Sequence, residues 1–129
     1  MKYNSTMNTF LLFGSIFMFI GVGMGAFGAH GLAEFLANAG REGTFDTAVR
    51  YMVYHGLALI AVGILSEISS APVLNWAGWA FFIGGLIFSG SLYILIFAGL
   101  RWMGAITPIG GVFFLAGWVC MIIYAIQSS

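Results

Sequence analysis

The chain has 129 residues, 61% of them hydrophobic and only 6% charged, with a formal net charge of zero. Soluble domains run near a quarter charged, so this composition leaves too little polar surface to face water, and the scattered charges form no basic stripe for nucleic acid. What remains is an integral membrane protein, short enough to be one compact unit.

Four uncharged stretches run from Tyr3 to Ala33, from Tyr51 to Ser66, from Ile68 to Leu100 and from Trp102 to the end. About 20 apolar residues at 1.5 Å rise per residue cross a hydrocarbon core. The expected spans are therefore about 9–29, 45–65, 73–97 and 104–126 within a single integral membrane domain, 1–129. No run of alternating polarity suits a transmembrane strand. The fold class is all-α, a four-transmembrane-helix bundle.

Lys2 and the small residues Ala26-Phe27-Gly28-Ala29 resemble the ends of a cleavable signal peptide. The run from Thr9 to Ala29 is nevertheless long enough to span, and it is read as a retained helix. Gly21, Gly25 and Gly28 follow at i, i+4 and i+7 on that helix, as Gly110, Gly111 and Gly117 do on the fourth, and such glycines let helices touch. The connection after span one holds Leu32, Phe35 and Leu36 at i, i+3 and i+4, which predicts a short interfacial helix ending at Gly40. Thr44 reads as the N-cap of span two, with Asp46 in its first turn. Ser69, Ser70 and Ala71 before Pro72 make a tight link to span three, and Gly99 to Trp102 link span three to span four. Pro108 is expected to free the carbonyl of Gly104, which then needs a donor such as Arg101 or water. Trp76, Trp79 and Trp102 stand near span ends, whereas Trp118 lies deep and is expected to pack. Cys120 is the sole cysteine, which excludes an intrachain disulfide. No metal ligand set has convincing spacing, and no cofactor is implied.

Arg41, Arg50 and Arg101 belong to connections one and three, against Lys2 on the other side. The positive-inside rule then places those connections in the cytoplasm and both termini outside the bacterial inner membrane.

Ionisable and hydroxyl groups inside apolar spans are the candidate binding residues. On span two, Thr47, Arg50, Tyr51 and Tyr54 share a face, with His55 at its edge and Asp46 four residues before Arg50. Ser89, Ser91 and Tyr93 on span three are expected to face them. His30 closes span one, Arg101 opens the last link, and Thr107 begins span four. Arg50 is expected to point into the bundle, because a lipid-facing arginine at a helix centre costs on the order of 3 kcal/mol. His55 is expected to be a neutral imidazole bonded to a hydroxyl or carbonyl of a neighbouring helix, since Asp46 lies about 13 Å away along the helix. No nucleophile with a base and an elbow turn appears, so no enzyme is read from the chain.

Gly25-Ala26-Phe27-Gly28-Ala29-His30-Gly31-Leu32, then Thr47-Ala48-Val49-Arg50-Tyr51 leading to His55, then Phe88-Ser89-Gly90-Ser91-Leu92-Tyr93, then Arg101 through Gly111, resemble small bacterial membrane proteins of the YgdD/YwdK type, of unknown function and with eukaryotic membrane relatives. The resemblance covers nearly the whole chain in order and implies four transmembrane helices. It carries no activity over. One departure is Met52, where the pattern leads one to expect an amide-bearing side chain, so no role that needs a donor there transfers. Two function classes follow: a binding or assembly module in the lipid bilayer, joining copies of itself or a larger membrane complex, and a small-solute or proton conductor that uses His55, Arg50 and His30. A conductor requires a continuous polar path, whereas an assembly module requires a dry core.

Overall fold

The structure is a computed structural model that describes residues 7–127; Lys2 lies outside the described residues. Among the described residues five α-helices form, α1 (Thr9–Ala29), α2 (Ala33–Ala39), α3 (Glu42–Ile68), α4 (Pro72–Ala98) and α5 (Thr107–Gln127), with a 3-10 turn over Arg101–Ala105. Four of the helical segments are long and apolar enough to cross a membrane. Helix is the natural outcome in lipid, because it satisfies every backbone group within its own segment.

The helix ends follow local chemistry. The Asn8 side chain caps α1 by accepting from the Leu11 amide at 3.1 Å, while its own amide donates to the Gly63 carbonyl at 3.0 Å and to Glu67 at 3.1 Å. One residue thus caps a helix and ties it to the far end of α3. Gly40 closes α2 in the left-handed conformation, with φ of 65°, and the Arg41 amide returns to the Leu36 carbonyl at 3.0 Å. The chain re-enters helix at once. Thr44 is therefore not the N-cap of α3: Arg41 is, without a side-chain bond, and Glu42 is the acid of the first turn. Pro108 falls in the first turn of α5, where no intrahelical bond is due from its nitrogen, so it does not free the Gly104 carbonyl, which sits in the 3-10 turn.

The helices form a rhombus. α3 and α4 occupy the short diagonal, with α1 laid along α3 and α5 along α4. In the most apolar stretches of α3 and α4, 44% of residues are buried, against 22% in α1 and 17% in the last span. Aromatic rings close the other two sides. Phe10 and Phe13 of α1 meet Trp79 and Phe82 of α4, and Phe114 of α5 stacks on His55 of α3.

Glycines set how near the helices come. Gly14 lies on Gly56 where α1 meets α3, and Gly110 lies on Gly84 and Phe88 where α5 meets α4. Gly21, Gly25 and Gly28 face Val53, Val49 and Phe45 of α3, and Gly117 faces Phe81. The glycine faces are therefore consumed within the bundle. Gly111, expected to share this duty, has nothing within 4 Å.

Leu36 of α2, Phe45 of α3, and Leu95 and Ile96 of α4 form one buried cluster, with Met103 of the 3-10 turn packed on it. Connections one and three thus lie at the same end of the bundle. Cysteines placed at Glu42 and at Gly99 will accordingly react with an impermeant thiol reagent from one membrane face only. Labelling from opposite faces would contradict the span count.

Candidate functional site

α3 decides the site, and its polar face turns outward. The buried stripe of α3 holds Ala48, Met52, His55, Leu59 and Val62, whereas Arg50, Tyr51 and Tyr54 are exposed. Arg50 does not point into the bundle. Its guanidinium pairs with Asp46 at 2.7 Å on the helix surface, with side-chain exposures of 54% and 63%. The reason is one of length. From Tyr51 to Ser66 the uncharged part of α3 measures only about 24 Å at the helical rise, so Arg50 stands at the hydrocarbon boundary and reaches outward to an acid in the headgroup layer. Thr47 bonds back to the Gly43 carbonyl at 3.0 Å and serves its own helix.

The inner stripe is where the polar groups of α3, α4 and α5 meet. Ser89, fully buried on α4, donates to the Ala48 carbonyl of α3 at 2.8 Å. The Tyr93 hydroxyl donates to the Met52 sulfur at 3.7 Å. That thioether is a weak acceptor, which suits a tyrosine donor. Ser91 does not face α3: its hydroxyl meets that of Thr107 on α5 at 2.5 Å and also bonds the Phe88 carbonyl at 2.9 Å. Three hydroxyl side chains of α4 thus fasten it to α3 on one side and α5 on the other.

His55 occupies the centre. Its Nδ1 lies 2.8 Å from the Tyr51 carbonyl of its own helix, and its Nε2 accepts from the Trp118 indole N–H at 3.0 Å. An indole nitrogen only donates, so Nε2 carries no proton and Nδ1–H donates to the carbonyl. The neutral imidazole satisfies both contacts; an imidazolium would set two N–H groups against each other. The ring stacks on Phe114 with centroids 3.5 Å apart and an interplanar angle of 6°. The partner from a neighbouring helix is thus an indole, not the hydroxyl or carbonyl expected. Trp118 is the residue that sequence reasoning missed: its depth in span four was legible, its donor role was not.

His30 and Arg101 are exposed at the same end of the bundle and join no such contact. Among the described residues no group of His, Cys, Asp and Glu could hold a metal ion, and no buried side-chain nitrogen or oxygen lacks a partner.

These features define a multi-pass membrane protein, a four-span helical bundle whose interior polar groups bond one another. The chain belongs to the family described as "Protein of unknown function (DUF423)", whose model matches residues 24–111. It is 49% identical over 117 residues to a UPF0382 membrane protein of Staphylococcus haemolyticus, covering 91% of this chain and 94% of that one. It is 39% identical over 122 residues to the UPF0382 membrane protein YwdK of Bacillus subtilis, covering 94% of this chain and 98% of the relative. No solved structure matches the chain.

Proposed function

We propose that the protein is a non-catalytic assembly module of the bacterial inner membrane, acting through the outer face of α5. The observation that carries this reading is the closure of the interior. His55, Ser89, Ser91 and Thr107, the buried polar residues, each bond within the bundle. A conductor would keep donors and acceptors free to pass a proton or solute onward, and among the described residues no buried side-chain nitrogen or oxygen is left without a partner.

Association then falls to the outside. Val112, Leu115, Val119 and Ile122 stand outward on α5 with exposures of 65%, 68%, 53% and 60%. Their spacing of three, four and three is that of a left-handed helix seam. Three of the four are β-branched and lose little rotamer freedom on packing, a real advantage where no hydrophobic effect drives helices together. Two copies inserted with the same topology meet with parallel α5 helices, and a two-fold axis along the membrane normal closes the pair. Orientation follows the exposed arginines. Arg50 is held at the surface and Arg101 is exposed, so both count with Arg41 toward a cytoplasmic placement of connections one and three, with both termini outside.

The test is disulfide trapping in native membranes with Cys120→Ser as background. Leu115→Cys and Ile122→Cys will cross-link between copies, whereas Phe19→Cys on α1 will not. Monomer at every position would refute association through α5. In proteoliposomes the wild-type protein will show no proton flux above empty vesicles. Flux that His55→Ala abolishes would establish conduction instead.

A further inference from the structure

We propose that a pocket where α1, α2 and α3 meet holds the headgroup of a phospholipid with a primary ammonium, its acyl chain lying in the groove along α1. The pocket encloses about 280 Å³, at the low end for small-molecule sites and suited to a headgroup. Gly28, Ala29 and Ala33 form its small-residue lining, with Phe45 beside them, and Glu42 and Asp46 supply its carboxylates.

Depth and charge select the ligand. Arg50 marks the hydrocarbon boundary, so Asp46, one turn beyond it, and Glu42, two turns beyond, stand in the headgroup layer. Two carboxylates accept hydrogen bonds from an ammonium that carries N–H groups. A quaternary ammonium is recognised instead by a cage of aromatic faces, and Phe45 is the only aromatic residue lining this pocket. The Arg50 guanidinium, 2.7 Å from the Asp46 carboxylate that lines the pocket, sets a positive group beside it, where the adjoining phosphate would lie. The rim therefore carries both signs, as a zwitterion requires.

A path for the acyl chain lies about one helical turn away on α1. Val22 and Met18 lie three and seven residues before Gly25, which lines the pocket, and so stand about one and two turns further toward the membrane interior. Both border an apolar groove of about 680 Å³ on the outer side of α1, near Gly23, where an added Cβ would meet no neighbouring element within 4 Å. This site lies on the opposite flank of the bundle from α5 and stands apart from the assembly reading.

The full-length protein, delipidated in detergent, is to be titrated with dioleoyl phosphatidylethanolamine, dioleoyl phosphatidylcholine, dioleoyl phosphatidylglycerol and free ethanolamine, with bound lipid read by native mass spectrometry. Phosphatidylethanolamine will bind about fivefold or more tighter than the other two lipids, as expected for charge-assisted bonds to an ammonium. Glu42→Gln, at an exposed position, will abolish that preference without changing the melting temperature. Gly23→Leu, whose Cβ meets no neighbouring element, will weaken all three lipids by projecting its side chain into the groove. Equal binding of the three lipids, tighter phosphatidylglycerol, a preference unchanged in Glu42→Gln, or competition by ethanolamine at equal concentration would overturn the proposal. The last outcome would assign the pocket to a soluble amine.

Discussion

Gly110→Ala will destabilise the bundle by about 2 kcal/mol or more, while Gly111→Ala, one residue on, will not destabilise it. The substitution is the same and the helix is the same; only the rotation differs. A Cβ on Gly110 would lie 2.5 Å from the Phe88 amide nitrogen and 2.8 Å from the Gly84 carbonyl oxygen. Both are backbone atoms of α4, which cannot step aside as a side-chain tip can. α5 would have to move off α4 as a body, and packing along the α4–α5 seam would be lost with it. Lipid tails are as apolar as the separated surfaces, so no hydrophobic gain compensates. Gly111 meets nothing within 4 Å, and a methyl there enters lipid. Reversible unfolding in a mixed-micelle denaturant titration reads the difference. Equal midpoints for the two variants would mean that α4 and α5 do not cross at Gly110.

Trp118→Phe will cost about 1–2 kcal/mol although it keeps an aromatic ring at the position. What it removes is the indole N–H that His55 Nε2 accepts at 3.0 Å, and surrounding hydrocarbon offers no replacement donor. His55→Phe will cost a comparable amount, because it leaves the indole N–H unpaired in a place where only lipid surrounds it. The double variant will lose less than the sum, with a coupling of about 1 kcal/mol, since the second change removes a group already stranded by the first. The same unfolding titration over all four proteins closes the cycle. Additive losses would show that the two rings merely pack, and would remove the reason for the fixed Nδ1–H tautomer.

The class of the protein was legible from composition alone. With 61% hydrophobic residues and four uncharged stretches, the chain dissolves in a bilayer and must be helical there, because helix closes its own backbone bonds. Local ends were partly legible. The left-handed Gly40 ends α2 where its position suggested, but Thr44 lost the cap of α3 to Arg41 because the turn at Gly40 leaves no residues before the next helix begins.

Rotation of each helix about its axis was not legible, and the candidate site depends on it. In a soluble helix the apolar stripe marks the inner face. In a membrane both faces are apolar, so periodicity no longer tells inside from outside. Arg50, Tyr51 and Tyr54 do share a face of α3, as their spacing says, yet that face turns outward, and the small residues opposite it pack inward. Gly110 and Gly111 look alike in sequence and differ completely in their surroundings. Trp118 reads as a packing residue until α5 is set at the angle that brings its indole to His55. The sequence by itself determined the solvent, the number of spans and which side chains must find partners. Only the packing of α3, α4 and α5 decided which partner each found, because those bonds join residues 16 to 63 positions apart and no local spacing encodes them.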